Sequence, residues 1–163
     1  MLRLKGLVHK YGANVDTDVI IPARYLNVSD AEELASHCME DLDPDFVRKV
    51  RPGDIIVAET NFGCGSSREQ AVSCLKGHEL TIVAKGFARI FLQNGINLGL
   101  RVAVVPELEA ATGDDVEIGS GRVSNRTTGR SFAITPLPSA RQAIVEAGGL
   151  IAYTRQRLEQ GQP

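Results

Sequence analysis

The sequence has 163 residues, of which 43% are hydrophobic and 23% charged, and its formal net charge is -2 at pH 7. This length and composition are typical of one globular domain with a proper core, so we expect a single domain over residues 1–163. No dense run of Lys and Arg indicates a nucleic-acid surface, and no apolar run approaches the roughly 20 residues of a membrane span. The N-terminal segment has no secretory hydrophobic region, so we expect a cytoplasmic protein.

The N-terminal third combines one strand pattern with one helix pattern. Residues 2–12 alternate well enough to predict a first strand. Ser29, with Glu32 three residues later, matches a capping box and predicts a helix over residues 30–40. Residues 41–54 contain two prolines and are expected to be a connector.

The most regular pattern follows the connector. Short apolar runs alternate with segments of helical spacing, and Gly95 weakens the second of these helical segments. This alternation predicts parallel strands joined by crossover helices. The predicted strands are residues 54–60, 79–86 and 100–106, and the predicted helices are residues 66–77 and 88–99.

The pattern changes after Pro106. Residues 113–134 contain short alternating pieces broken by glycines and predict antiparallel hairpins. Residues 138–161 predict a C-terminal helix that is interrupted or bent at Gly148 and Gly149, with a frayed tail over residues 159–163. The predicted fold class is therefore α/β, with a mostly parallel sheet core flanked by helices and added antiparallel hairpins.

The three cysteines are Cys38, Cys64 and Cys74, and none of them forms a C-x-x-C pair. An odd number with this spacing predicts neither a disulfide framework nor a zinc site. Cys74 is expected to be a small core residue.

Residues 63–71, GCGSSREQA, are too polar and too rich in glycine to be core. They fall where a parallel strand ends and a helix begins, which is the edge where open α/β sheets bind ligands. Ser66 and Ser67 are each followed three residues later by Glu or Gln, as in capping boxes. A helix N-terminus favours an anion, and Arg68 adds a planar fork that matches a carboxylate. The stretch predicts a carboxylate or phosphate cradle beside a free hydroxyl, although an ordinary capped helix would give the same pattern.

Two other groups of polar residues accompany this stretch. Asp16 and Asp18 flank Thr17, and their carboxylates could orient a cation, accept hydrogen bonds or form an Asx-turn. The predicted helix over residues 88–99 also carries several hydrogen-bonding side chains, which could simply be its polar face. They are Arg89, Gln93, Asn94 and Asn97.

Four segments resemble one known family in their order and separation. They are NVDTDVIIPARYL, NFGCGSSREQA, AKGFARIF and NGINLGL. Together they resemble the aconitase superfamily swivel domain, in the branch of separate small subunits of isopropylmalate dehydratases. The similarity covers nearly the whole chain, and it implies a single swivel-type domain of β/β/α type.

The resemblance also implies roles for individual residues. Ser66 matches the serine that removes a proton from the carbon next to a carboxylate, and Ser67 supports it and contacts the ligand. Arg68 matches the arginine that binds the substrate carboxylate. Asp18 matches the active-site aspartate of the family, and its neighbour Thr17 is expected to contact the substrate.

The same resemblance implies a hydro-lyase that works only with a partner. A large subunit would carry a [4Fe-4S] cluster, none being bound by this chain, and the pair would interconvert 2- and 3-isopropylmalate in leucine biosynthesis. The segment after Tyr25 and Leu26 would line the pocket around the variable substrate group, and Val28 suits an isopropyl group. The alternatives are a small subunit for homoaconitate or for a methylated acid of the citraconate or dimethylmalate type, and a stand-alone anion-binding module without chemistry.

Overall fold

The computed structural model describes residues 4–119 and 121–161. The described strands are β1 (Leu4–Lys10), β2 (Ile55–Ala58), β3 (Thr81–Ala84), β4 (Arg101–Val104), β5 (Asp115–Gly119), β6 (Arg122–Asn125) and β7 (Arg130–Ala133). The described helices are α1 (Thr17–Ile20), α2 (Ala31–Ser36), α3 (Phe46–Lys49), α4 (Glu69–Lys76), α5 (Arg89–Leu98), α6 (Ser139–Ala147) and α7 (Leu150–Glu159), with a 3-10 turn at Ala23–Tyr25. Residues 2 and 3 of the predicted first strand and residues 162 and 163 of the predicted tail lie outside the described residues.

The described strands form one seven-stranded sheet in the order β4-β3-β2-β1-β5-β6-β7. β1 to β4 pair in parallel, whereas β5, β6 and β7 are added to β1 as antiparallel neighbours. Helices α4 and α5 provide the crossovers from β2 to β3 and from β3 to β4. The predicted fold class is therefore confirmed.

Both faces of the parallel strands are buried, and each faces its own hydrophobic cluster. Ile55 and Val57 of β2 pack in the cluster that includes β5 to β7, whereas Ile56 and Ala58 pack in the cluster beneath the helices. Successive side chains of a strand point to opposite faces, so a continuous apolar run is what a strand covered on both sides requires. The sheet also curls, because Thr135, which follows β7, donates its N–H to the carbonyl of Val104 at the far edge strand (2.8 Å).

The predicted start and end of α2 were both wrong. Asp30 rather than Ser29 caps the helix, because its carboxylate accepts the backbone N–H of Glu32 at 2.8 Å. The helix stops at Ser36 rather than at residue 40. The reason is that Met39 turns into the core with φ 63 and donates its N–H to the carbonyl of Ile20 (2.8 Å).

The predicted break in the C-terminal helix is confirmed and has a packing reason. Gly148 and Gly149 separate α6 from α7 with φ values of 95 and 126, a region that favours glycine. A Cβ on Gly149 would lie 2.7 Å from the carbonyl oxygen of Asn97, and a Cβ on Gly99 would lie 2.4 Å from that of Gly148. The junction therefore lets the backbone of the C-terminal helix pair touch the end of α5.

Candidate active site

A cavity of about 470 Å³ opens at the carboxyl ends of the parallel strands. Its walls come from three segments, one following each of β1, β2 and β3, which are neighbours in the sheet. This is the edge at which open parallel sheets bind ligands. The lining residues are Thr17, Gly63, Gly65, Ser66, Ser67, Arg68, Ala88, Arg89, Ile90, Phe91 and Asn94.

The loop after β2 depends on two glycines with positive φ. Gly63 has φ 84, and a Cβ there would lie 2.1 Å from the ring of Phe91. Gly65 has φ 90, and a Cβ there would lie 2.6 Å from the carboxylate of Asp16. Larger residues would be strained in both positions and would push the loop away from its neighbours. The loop therefore passes closely between α5 and the segment after β1.

Backbone hydrogen bonds join this loop to the segment after β1. The N–H of Gly63 donates to the carbonyl of Val15 (2.8 Å), and the N–H of Thr17 donates to the carbonyl of Cys64 (2.8 Å). The side chain of Thr17 adds a third bond, because its Oγ1 donates to the carbonyl of Ser66 (2.8 Å). Thr17 is only 1% exposed. Its hydroxyl therefore holds the backbone of Ser66, whereas the side chains of Ser66 and Ser67 remain exposed.

Arg68 is held by the segment that follows β1. Its Nη1 lies 2.6 Å from Oδ1 of Asp18 and donates to the carbonyl of Ile21 (3.4 Å). The Arg68 side chain is 14% exposed and that of Asp18 is 58% exposed. Oδ1 of Asp16 accepts the N–H of Asp18 at 2.8 Å, which confirms the Asx-turn. The structure thus brings together Asp18, Arg68 and the two serines.

The predicted capping boxes at the serines were wrong. α4 begins at Glu69, its N-cap position is Arg68, and no side chain hydrogen bond caps it. The physical reason is that Thr17 holds the carbonyl of Ser66 and the residues before Glu69 stay non-helical, with φ -134 and ψ 110 at Arg68. The serine hydroxyls are consequently not used for capping.

The first turns of α5 form the facing wall, which only a weak sequence signal indicated. Nδ2 of Asn94 donates to Oγ of Ser67 at 3.5 Å, and Ile90 is 56% exposed at the cavity. Arg89 also lines the cavity. Gln93 instead donates to Asn97 on its own helix (3.2 Å). Arg89 and Asn94 therefore line the cavity, whereas Gln93 and Asn97 bond to each other along the helix.

Val28 is not among the cavity-lining residues. It is half-buried and packs against the core beneath the helices. The segment around it is tied to α4, because Nε2 of Gln70 donates to the carbonyl of Leu26 (3.4 Å). In the chain by itself, Val28 therefore does not line the cavity.

Cys64 lies within the loop after β2, where its surroundings disfavour the thiolate form. Burial, and then the nearby carboxylate of Asp16, raise the pKa of Cys64 above its usual value. Such a group stays protonated near neutral pH, and a thiol is a poor nucleophile. Within residues 4–119 and 121–161, no group of three or more His, Cys, Asp or Glu side chains is arranged to hold a metal ion.

Comparison with known proteins shows the family. A model of the aconitase C-terminal domain matches residues 2–105, which is more than half of the chain. The chain belongs to the aconitase C-terminal domain family. Among the helices of the described part, none is long and apolar enough to cross a membrane.

Relatives that match nearly the whole chain carry two related names. The chain is 51% identical over 162 residues to the 3-isopropylmalate dehydratase small subunit of Thermodesulfovibrio yellowstonii, covering 96% of each protein. It is 52% identical over 157 residues to the 2,3-dimethylmalate dehydratase small subunit of Eubacterium barkeri, covering 93% of this chain and 96% of that protein. The crystal structure of 3-isopropylmalate dehydratase from Methanocaldococcus jannaschii superposes with a TM-score of 0.94 at 43% identity, covering 98% of both chains.

Proposed function

We propose that this chain is the small subunit of a 3-isopropylmalate dehydratase, a hydro-lyase that isomerises 2- and 3-isopropylmalate by removing and re-adding water. One observation carries the proposal: the exposed hydroxyl of Ser66 lines a cavity beside the oriented guanidinium of Arg68. Relatives about half identical over almost the full length act as small subunits of dehydratases, as their names state. The product would enter leucine biosynthesis, and we expect the complex to work in the cytoplasm.

Ser66 is proposed to be the general base. The proton to be removed lies on the carbon next to a carboxylate, and its loss leaves extra negative charge on that carboxylate. Preorganised positive charge stabilises such a transition state most strongly in a site that excludes water. Arg68 lines the same cavity as Ser66 and matches a carboxylate with its planar fork, so it is proposed to bind that group. Ser67 is proposed to add a hydrogen bond to the substrate.

The remaining site residues act through these two. Thr17 fixes the carbonyl of Ser66 and so sets the direction of the loop that carries the base. Asp18 holds the guanidinium of Arg68 at 2.6 Å. The predicted role of Asp18 in catalysis is therefore proposed to be alignment of Arg68. The predicted contact of Thr17 with substrate is replaced in this proposal by positioning of Ser66.

The other half of the site is proposed to come from a large subunit. That subunit would carry a [4Fe-4S] cluster, which supplies a Lewis acid for the substrate hydroxyl. The described residues of this chain offer no ligand set for such a cluster. The cavity is open on one side, and the partner is proposed to cover that side and exclude water.

A test replaces Ser66 in the reconstituted two-subunit enzyme. Ser66→Ala is expected to lower kcat by about 10²–10⁴-fold, the usual contribution of a positioned acid–base group. Its Tm should stay unchanged, because the Ser66 side chain is exposed. Ser139→Ala, a change of an exposed serine outside the cavity, is the matched control and should leave kcat unaltered. Near-normal turnover by Ser66→Ala would refute the role of Ser66 as the general base.

A second candidate substrate is 2,3-dimethylmalate, because that relative is as similar to the chain as the isopropylmalate relatives are. Comparing kcat/KM for 2-isopropylmalate, 2,3-dimethylmalate and homocitrate separates the candidates. An apolar pocket distinguishes groups that differ by a methylene by about 10–200-fold. A higher kcat/KM for homocitrate would reject both substrates whose variable group is apolar. Binding of a diacid without turnover in any complex would favour a stand-alone anion-binding module.

A further inference from the structure

Two of the three cysteines lie together beneath the site. Sγ of Cys74, on α4, is 3.0 Å from Sγ of Cys38, in the turn after α2, and both residues are fully buried. The described cysteines are all free thiols. A distance of 3.0 Å is only about 1 Å longer than a disulfide bond, so a small movement would join the sulfurs.

The pair also contacts the element that carries Asp18. Sγ of Cys74 lies 3.7 Å from the carbonyl oxygen of Ile20, and the N–H of Met39, next to Cys38, donates to the same carbonyl at 2.8 Å. Ile20 is the last residue of α1, which begins at Thr17 and includes Asp18. Movement of either sulfur is therefore transmitted to the helix that holds Arg68 and the loop of Ser66.

We propose that Cys38 and Cys74 form a reversible dithiol–disulfide pair, oxidised by a hydroperoxide, and that the disulfide lowers turnover by displacing α1. One thiol loses its proton, and the thiolate attacks the peroxide. The O–O bond breaks, the leaving hydroxide takes up that proton, and a sulfenic acid and one water molecule form. The second thiol then displaces the sulfenic oxygen as a second water molecule, and the S–S bond forms. Overall, two thiols and one hydrogen peroxide give one disulfide and two waters, with the two electrons passing from sulfur to oxygen.

The local structure explains why such a pair would react slowly. Burial, and then the hydrogen bond with Cys74, raise the pKa of Cys38 well above its usual range. A buried thiol reacts only when the site opens or when the oxidant is small enough to enter. Hydrogen peroxide is close to the size of water. Oxidation should consequently need prolonged exposure to hydrogen peroxide. Bulky disulfide reagents should not reach the pair.

The experiment uses the Cys64→Ser variant, in which Cys38 and Cys74 are the remaining thiols. After hydrogen peroxide treatment and removal of the oxidant, the chain is denatured and alkylated. The expected result is the joint loss of both alkylatable thiols, a mass decrease of two hydrogens and a cross-linked peptide pair, all reversed by dithiothreitol. Tm should rise by about 5 °C or more, as expected for closing a loop of this length. Cys38→Ser or Cys74→Ser in the same chain should abolish all of these changes.

The activity measurement rests on the proposed function. The oxidised, peroxide-free subunit is mixed with untreated large subunit and compared with the same subunit after reduction. A displacement of about 1 Å near a site can cost up to about 100-fold, so a fall of about tenfold or more is expected. Two alkylatable thiols after treatment refute the pair itself, and a cross-link with unchanged turnover refutes its effect on α1. If the reduced complex has no turnover, the proposed function fails while the mass and thiol results still decide the pair.

Discussion

Replacing Thr17 with valine tests whether the loop after β2 is held for catalysis. The side chain of Thr17 is buried, and its hydroxyl donates to the carbonyl of Ser66 at 2.8 Å. Thr17→Val keeps the volume and removes that bond. Leaving a buried acceptor without its partner costs about 1–3 kcal/mol, and we expect about 1 kcal/mol here because Ser66 is an exposed residue. In a chain of this size, Tm should fall by about 2–4 °C.

The effect on turnover should be much larger than the effect on stability. In the proposed mechanism, Ser66 must lie within hydrogen-bond reach of the proton that it would remove, and a loop that drifts by about 1 Å can lose about 100-fold in rate. We therefore expect kcat of the two-subunit enzyme to fall by about 10–100-fold in Thr17→Val. Turnover is followed by the ultraviolet absorbance of the unsaturated intermediate, and Tm by circular dichroism.

Thr17→Ser is the matched control, because it keeps the hydroxyl and loses a buried methyl group. That loss costs about 1 kcal/mol, so its Tm should fall about as much as that of Thr17→Val, whereas kcat should stay within a few-fold of the wild type. Equal losses of kcat in both variants would show that packing, rather than the hydrogen bond, matters at this position. Wild-type kcat in Thr17→Val would refute the positioning role.

Three further changes probe Arg68, Gly95 and Glu40. Arg68→Lys should raise KM by about tenfold or more, because an ammonium group cannot reproduce the planar fork; unchanged steady-state kinetics would exclude carboxylate recognition. Gly95→Ala should raise Tm by about 2–4 °C, since alanine is about 1 kcal/mol better in a helix and the added Cβ would meet Leu100 at an ordinary 3.7 Å; a lower Tm in a thermal melt would contradict this. Burial of Glu40 opposes its ionisation, but hydrogen bonds from Tyr25, His37 and Arg24 lower its pKa from 4.5 to about 2. Because the folded pKa is the lower one, the stabilisation is complete above about pH 4.5 and is lost as the pH falls towards about 2. Urea midpoints at about pH 3 and about pH 6 should therefore differ less in Glu40→Gln than in the wild type, and an identical pH difference would argue against the network.

The sequence predicted the parallel part of the fold because each local signal agreed with the global arrangement. The runs that became β2 and β3 are apolar on both faces, as strands covered on both sides must be. Gly95 weakened the prediction of α5, yet the helix continues through it, because the residue is buried against Leu100 and Val102 and tertiary packing outweighs its poor propensity.

The position of the candidate site could also be predicted from the sequence. The hydrogen bonds within it, and which side chains face the cavity, could not. A strand followed by GCGSS and a helix was enough to place Ser66, Ser67 and Arg68 at the ligand-binding edge. The missed capping geometry and the burial of Thr17 depend on hydrogen bonds between residues 49 apart in sequence. Likewise, only the fold decides that Asn94 faces the cavity and Val28 does not. Local patterns contain no information on such long-range pairings.

In the proposed function, the ion pair between Asp18 and Arg68 means that the chain by itself already neutralises its carboxylate-binding group. A bare guanidinium in an open cavity would attract sulfate, phosphate or any metabolite with a carboxylate before the proposed partner binds. With Asp18 in contact with Arg68, another anion would bind weakly, because it would compete with a carboxylate of the same chain. Binding of the proposed diacid in the proposed two-subunit complex would then exchange one carboxylate contact of Arg68 for another, with the guanidinium already held in place.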